Sequence, residues 1–287
     1  MRNSPLSPVT SVSALRTRVK TWRSDGLSIG FVPTMGALHE GHLSLVRLAK
    51  AQCDKVIASV FVNPAQFAPG EDYQAYPRTF LEDAEKLQNE ACDMIYAPEA
   101  SIMYPDGFVS EVRVGGPSEG LESAARPHFF NGVATVVAKL LNQVRPDIAV
   151  FGEKDYQQLL VIRRLVADLD LDVDIMAGPI ARETDGLALS SRNAYLSEAD
   201  RTRAARLFAI LSDCAAALKA GRSRAEAEAD ATEAAREAFD AVDYLEVRDP
   251  VALAVLPQGA LSGSARLLAA VRLGEVRLID NLAVSPS

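Results

Sequence analysis

Two histidines three residues apart, His39 and His42, stand in the stretch Pro33-Thr34-Met35-Gly36-Ala37-Leu38-His39-Glu40-Gly41-His42. An apolar run from Leu27 to Val32 precedes it and reads as a short buried strand, and Leu43 to Lys50 follows with apolar residues at helical spacing. The pair therefore falls where a strand ends and a helix begins. At that separation both side chains project from one side of the first turn. The free N–H groups and positive dipole end of the helix point at the same place, which suits a phosphate. Imidazoles beside such an anion hole can hold a nucleotide triphosphate and stabilise the charge that builds as pyrophosphate leaves. Gly36 and Gly41 let backbone approach a ligand, which histidines serving only as helix caps would not need. A zinc-protease helix requires His-Glu-x-x-His, and His39-Glu40-Gly41-His42 is one residue short of it. The one other histidine is His128 and no cysteine lies near, so no protein metal-ligand set is expected.

Three further stretches carry candidate chemistry. In Phe61-Val62-Asn63-Pro64-Ala65-Gln66-Phe67 two amides follow a strand; Asn63 and Gln66 either offer donors and acceptors to a small polar substrate or form an Asn-Pro turn with Gln66 in solvent. Thr79 and Glu82 fit a capping box, which leaves Tyr76 and Arg78 just outside a helix start. In Phe151-Gly152-Glu153-Lys154-Asp155-Tyr156-Gln157-Gln158, Gly152 permits close backbone approach and Lys154 offers a point charge for phosphate. Asp155 and Gln158 also have capping-box spacing, which competes with a ligand role for Gln158. The polar stretch from Arg182 to Asn193 holds Ser190, Ser191 and Arg192, and can close over a triphosphate or serve as a linker.

The elements that must position these groups alternate. Leu27–Val32, Lys55–Val62, Asp93–Tyr96, Ile148–Phe151 and Val173–Ala177 read as strands, with helical patterns at Leu43–Gln52, Leu81–Asn89, Gly132–Val144 and Tyr156–Asp168 between them. Alternation of this kind predicts an α/β fold, a doubly wound parallel sheet of Rossmann-like type, whose ligands bind beyond the carboxyl ends of the strands. The polar stretches fall at such ends. After residue 186 the chain changes character: Glu198–Ala220 and Ser223–Asp240 are alanine-rich, charge-laced helices that face solvent, while the leucines and phenylalanines between Ala204 and Ala241 keep a core face. Tyr244–Val247, Arg266–Arg272 and Val276–Asp280 read as strands, the last two joined as a hairpin through Leu273-Gly274-Glu275. Two domains are expected, 1–186 for nucleotide and substrate and 187–287 as a smaller C-terminal α+β lid.

Composition narrows the classes. The chain has 287 residues, 48% apolar and 24% charged, as in ordinary globular proteins. Its net charge of −8 and lack of a basic cluster argue against a nucleic-acid partner. No apolar run is long enough for a bilayer span, and Met1-Arg2-Asn3-Ser4-Pro5 leads into no signal peptide. Cys53, Cys92 and Cys214 are odd in number and widely spaced, which suits buried, reduced thiols and a cytoplasmic protein.

Taken together, PTMGALHEGHLSLV at residue 33, FVNPAQF at 61, YPRT at 76, GVATVVAKLLN at 132, FGEKDYQQL at 151 and DGLALSSRNAYLS at 185 resemble the pantoate–β-alanine ligase family, within the nucleotidylyl transferases of His-x-Gly-His type. The resemblance covers nearly the whole chain. It implies condensation of (R)-pantoate with β-alanine through a pantoyl adenylate, with ATP converted to AMP and pyrophosphate, for coenzyme A precursor synthesis. It implies that Met35, Gly36, Ala37, Leu38, His39, Glu40, Gly41 and His42 line the ATP site, with His42 the proton donor and His39 beside it on the phosphates. Gly152, Glu153, Lys154 and Asp155 would also meet ATP, with Lys154 on phosphate, and the backbone near Ala181 would meet adenine. Leu189, Ser190, Ser191 and Arg192 would form a mobile phosphate loop. Gln66 and Gln158 would hold pantoate, with Gln66 also bordering β-alanine; Asn63, from the reading of its own stretch, is the further candidate substrate-binding amide. Mg²⁺ with ATP and a homodimer are implied too.

Where the family often has Arg-Pro-Gly-His-Phe-Arg-Gly, this chain reads Arg126-Pro127-His128-Phe129-Phe130-Asn131-Gly132, so His128 is given no role. The phosphate loop has Arg192 but no lysine, which makes Lys154 the main ammonium at the triphosphate. Rival readings are a transferase that moves a nucleotidyl group onto a phosphate substrate, a non-catalytic nucleotide-binding module, and a truncated aminoacyl-tRNA synthetase relative. The first would want extra cations, where Asn63 and Gln66 are neutral; the second would bind ATP yet release no pyrophosphate; the acidic chain argues against the third.

Overall fold

The computed structural model describes residues 6–67, 70, 71 and 73–286. Met1–Pro5, where the signal-peptide reading begins, lie outside them. A helix not placed by the sequence reading, α1 (Val12–Ser24), comes first; Ser11 caps it by accepting from the Ala14 N–H at 3.2 Å. Only Leu15, Val19 and Trp22 are buried along it, so its apolar stripe is thin among arginines and a lysine. Then follow β1 (Ile29–Thr34), α2 (Glu40–Lys50), β2 (Lys55–Val60), α3 (Phe80–Asn89) and β3 (Met94–Tyr96). Two single turns, α4 (Ala100–Met103) and α5 (Glu122–Ala125), precede α6 (Phe129–Val144), β4 (Ile148–Gly152), α7 (Tyr156–Asp168) and β5 (Asp174–Gly178).

The five strands form one sheet in the order β3-β2-β1-β4-β5, and every pair is parallel, as the alternating pattern predicts. Ile29, Phe31, Val32, Val56, Ile57 and Ala58 are fully buried, because both faces of β1 and β2 are covered. Strand order reverses between β1 and β4, and sheets of this type bind ligands beyond the carboxyl ends at that point. β1 runs directly from there into the histidine turn.

At the opposite end of the sheet, Asp93 accepts from Lys50 Nζ at 3.0 Å, Lys55 Nζ at 2.9 Å and the Val56 N–H at 2.9 Å. Burial works to raise this carboxyl, but the bonds from Lys55, Val56 and Lys50 outweigh it and hold it below the ordinary carboxylate range. A carboxyl depressed by folding contributes stability above its unfolded pKa, and that contribution is lost as pH falls through the folded value. Asp93→Asn is therefore expected to cost about 2 kcal/mol at neutral pH. The deficit should shrink as pH drops below about 4, the unfolded carboxylate value. Urea midpoints for both proteins from neutral to acid check this, and a deficit independent of pH would contradict it.

The rest of the chain forms α8 (Glu198–Ala204), α9 (Arg206–Lys219), α10 (Arg224–Ala238), β6 (Ala241–Arg248), β7 (Ala265–Leu273) and β8 (Val276–Val284). The strands make an antiparallel sheet ordered β6-β7-β8, with Leu273 paired to Val276 across the expected hairpin. The single helix expected over Glu198–Ala220 is interrupted at Ala205. The expected core face is present: α9 buries Leu207, Ile210, Leu211, Cys214, Ala215 and Leu218, while α10 buries Ala227, Ala231, Ala235 and Ala238. Alanines three and four apart build the α10 face, so its hydrophobicity is low though its packing is close.

The chain divides into two compact units, Met1–Glu153 with Gln158–Pro179, and Lys154–Gln157 with Ile180–Ser287. The second resumes at Ile180, ahead of the composition change at 186. Arg182 is built into it, meeting Asp280 at 2.6 and 2.8 Å and bridging to Ala188. Among the described residues no helix is long and apolar enough to cross a membrane. All three cysteines are buried and free; burial pushes the Cys92 thiol up to about 11 and the Cys214 thiol to about 12.

Candidate active site

In the first unit, β1 ends in Thr34, whose hydroxyl donates to the Ser59 carbonyl at 2.7 Å and accepts from the Gly36 N–H at 3.2 Å. Gly36 and Ala37 then take positive φ, +84° and +50°, which turns the chain towards α2. A buried carboxylate holds this turn. Asp83 of α3, 1% exposed, accepts from the Ala37 N–H at 2.9 Å and the Leu38 N–H at 2.7 Å. Lys86, one turn along, donates to the Leu38 carbonyl at 2.8 Å. The sequence reading missed both residues. It also expected Thr79 to cap α3 with Glu82, whereas Thr79 makes no such bond and its hydroxyl meets Asp83 at 3.2 Å.

His39 is the N-cap of α2, and its Nδ1 accepts from the Gly41 N–H at 3.2 Å. His42 Nδ1 accepts from the His39 N–H at 3.3 Å, and the rings lie 4.1 Å apart. An Nδ1 that accepts a backbone N–H is unprotonated, so this pattern assigns both rings the neutral tautomer with the proton on Nε2. In both rings the capping bond is made by Nδ1. Glu40, by contrast, is exposed and pairs with Arg47, which also meets Glu90 at 2.6 Å.

The amides of the Asn63–Gln66 stretch do not form a solvated turn. Asn63 is 1% exposed: its Nδ2 donates to Gln66 Oε1 at 3.1 Å and the Gly132 carbonyl at 3.2 Å. Its Oδ1 accepts from the Tyr104 hydroxyl at 2.7 Å and the Ala65 N–H at 3.3 Å, so all four of its hydrogen-bonding positions are matched. Gln66 Nε2 in turn lies 2.9 Å from Met35 Sδ, which joins this amide to the histidine turn. Arg126 supports the backbone, donating to the Gln66 carbonyl at 3.0 Å while its guanidinium pairs with Glu71 at 2.7 Å. Neither Tyr104 nor Arg126 carries a local sequence signal for this role. His128 is exposed and is the N-cap residue of α6 without a side-chain capping bond.

Gly152 ends β4. A Cβ there would meet only Leu45, at an ordinary 3.9 Å, whereas one on its ladder partner Gly178 would strike Leu45 at 2.1 Å. A side chain at 178 would require Leu45 to shift, whereas one at 152 would displace nothing. Gln158 is half-buried in the first turn of α7.

In the second unit, the Lys154 ammonium lies 4.0 Å from Asp155. The Leu189 N–H donates to the Ala181 carbonyl at 2.9 Å, so 181–189 folds back on itself. Ser190 caps a short 3₁₀ helix, Ser191–Tyr195, by accepting from the Arg192 N–H at 3.3 Å, and Asn193 Nδ2 donates to the Ala188 carbonyl at 3.1 Å.

A five-stranded parallel sheet whose first strand passes, at the reversal of strand order, into a His-x-Gly-His turn defines a nucleotide-binding α/β enzyme of nucleotidylyl transferase type. Within that class, the family model for pantoate–β-alanine ligase matches residues 7–283. The chain is 64% identical over 277 residues to the pantothenate synthetase of Maricaulis maris, covering 96% of each. The crystal structure of pantothenate synthetase from Thermus thermophilus matches with a TM-score of 0.91 at 46% identity, over 98% of this chain and 100% of that one. A pantoate–β-alanine ligase from Francisella tularensis, complexed with β,γ-ATP and β-alanine, matches with a TM-score of 0.78 at 32% identity, over 96% and 97%. The chain belongs to the pantoate–β-alanine ligase family, and is accordingly an ATP-using ligase that forms a C–N bond.

Proposed function

We propose that the chain condenses pantoate with β-alanine through a pantoyl adenylate, with the chemistry centred on the histidine turn. The observation that carries this is the pair of imidazoles at a helix N-terminus, each with its Nδ1 accepting a backbone N–H so that its proton sits on Nε2. A carboxylate is a poor acyl donor to an amine, because its oxygen would have to leave as oxide. In the first step a pantoate carboxylate oxygen attacks the α-phosphorus of ATP in line and pyrophosphate leaves. In the second the β-alanine amine attacks the acyl carbon; the C–N bond forms, a proton is released, and AMP departs with the former carboxylate oxygen.

Met35–His42 and Gly152–Asp155 are assigned to ATP, with Ala181 at adenine. His39, His42, Lys154, Ser190, Ser191 and Arg192 stabilise the leaving pyrophosphate. Gln66 and Gln158 hold pantoate, and Asn63 fixes the orientation of Gln66. Closure of the Leu189–Arg192 segment over bound nucleotide would shield the adenylate from water, the lid role expected of the C-terminal part. Mg²⁺ enters as the ATP complex: no group of three carboxylate, thiol or imidazole ligands occurs among the described residues, and Asp83 is engaged by backbone. That donor set fits an ion held chiefly by phosphate oxygens and water, whose chemistry is to neutralise phosphate charge. A cytoplasmic homodimer completes the reading, on the family resemblance and the buried thiols.

Pantoate labelled with ¹⁸O in its carboxylate tests the route: one label should appear in AMP, and pyrophosphate should exchange into ATP without β-alanine. AMP free of label would overturn the adenylate. Gly152 gives an independent check. Gly152→Ala should melt like the wild type yet bind ATP about tenfold more weakly, since the added methyl meets ligand rather than protein. Unchanged ATP affinity by calorimetric titration would remove Gly152 from the site.

A further inference from the structure

Asn281 sits in β8, paired across the ladder with Leu268 on the sheet face turned away from the core beneath α9 and α10. It is 1% exposed. Its Oδ1 accepts from Arg266 Nε at 2.7 Å, and its Nδ2 donates to the backbone carbonyl of Lys154 at 2.9 Å. One donor and one acceptor partner fix which end of the amide is which. Arg266, 6% exposed, lies over the Tyr156 ring at 3.9 Å, and the Tyr156 hydroxyl donates to the Pro250 carbonyl at 2.8 Å. The Asn281 N–H donates to Asp280 at 2.7 Å, and Asp280 is itself clamped by Arg182. The residues on either side of Asp155 are thus gripped by one buried polar chain.

A surface lysine needs no such support. Burial of an amide and a guanidinium is costly unless every polar atom is satisfied, and a half-satisfied network is worse than an apolar one. Here the network ends on the peptide that sets the direction of the Lys154 Cα–Cβ bond. A lysine stem carries about 2 kcal/mol of rotamer entropy, so fixing its base is an effective way to aim its ammonium.

We propose that Asn281, backed by Arg266, is a positioning residue that aims Lys154 at the triphosphate of ATP. This rests on the reading of Lys154 as a phosphate ligand. Asn281→Asp has the same shape and keeps the acceptor for Arg266, but it sets a negative oxygen against the Lys154 carbonyl.

The expected result is a rise of about tenfold in KM for ATP with KM for pantoate unchanged. In a Lys154→Ala background the same substitution should leave ATP affinity, measured by equilibrium titration, unaltered, because the lysine it acts through is gone. An equal loss of ATP affinity in both backgrounds, a parallel rise in both KM values, or no change in the single variant would each overturn the proposal. Lys154→Ala that binds ATP as the wild type does would overturn the parent reading, and is distinguishable because it shows without touching Asn281. Should Asn281→Asp not fold, Arg266→Lys carries the test: it keeps the charge, loses the planar donor to Oδ1, and should give the same ATP-specific rise.

Discussion

Replacing His42 by alanine is expected to lower pantoate-dependent pyrophosphate exchange by about a thousandfold, the scale set by removal of a preorganised donor at developing charge. Stability should fall by only about 1 kcal/mol, the worth of the helix-end bond that its Nδ1 makes. The separation of roles between the two nitrogens makes this prediction divisible. Asparagine places an oxygen near the position of Nδ1, so His42→Asn should recover the stability and remain inactive. Glutamine places an N–H near the position of Nε2, so His42→Gln should recover part of the exchange rate. Rapid-quench exchange assays beside thermal melts separate the two effects. Near-normal turnover in His42→Ala would take the residue out of the reaction altogether.

Asp83→Ala carries the second large effect, on both stability and rate. Two backbone N–H groups of the histidine turn lose a buried carboxylate, and hydrogen bonds to a charged group are worth about 1.5–3 kcal/mol each. A loss of about 4 kcal/mol follows, which in a chain of this size lowers the melting temperature by about 10 °C. The turn it releases holds Ala37 at φ +50°, a conformation costing about 1–2 kcal/mol for a residue other than glycine, so the freed loop relaxes away from it. Exchange activity should fall at least a hundredfold even at temperatures where the protein is folded. Asp83→Asn keeps one acceptor and should be intermediate in both respects. A variant without the carboxylate that melts and turns over normally would show that the turn holds itself.

The contrast between these two residues marks how far the sequence could be read. His39 and His42 stand out because their signal is local: their types, their spacing and the flanking glycines lie within one turn. The five parallel strands were equally legible, since almost continuously apolar runs such as Val56–Val62 have few other uses. Asp83, Lys86 and Asn281 have no local signature. Each acts on backbone more than forty positions away in sequence, and an aspartate in the first turn of a helix looks like any other dipole-complementing residue. The amides of Asn63 and Gln66 fell between these cases: their types were visible, but only the Tyr104 hydroxyl and the Gly132 carbonyl show that Asn63 is spent on holding its neighbour. The alanine-rich helices were half legible: leucines mark the core face of α9, whereas the buried alanines of α10 pack closely without raising hydrophobicity.

The burial of all three cysteines has a practical consequence for watching the Ser190–Tyr195 segment. Thiol-directed dyes attack thiolates that solvent can reach, and Cys53, Cys92 and Cys214 are neither exposed nor easily ionised. A single cysteine introduced at Tyr195, 44% exposed at the end of the 3₁₀ turn that Ser190 caps, would be the one ready point of attachment in an otherwise unaltered chain. A fluorophore there would report the segment's response to ATP and pantoate in real time, with no background labelling to subtract.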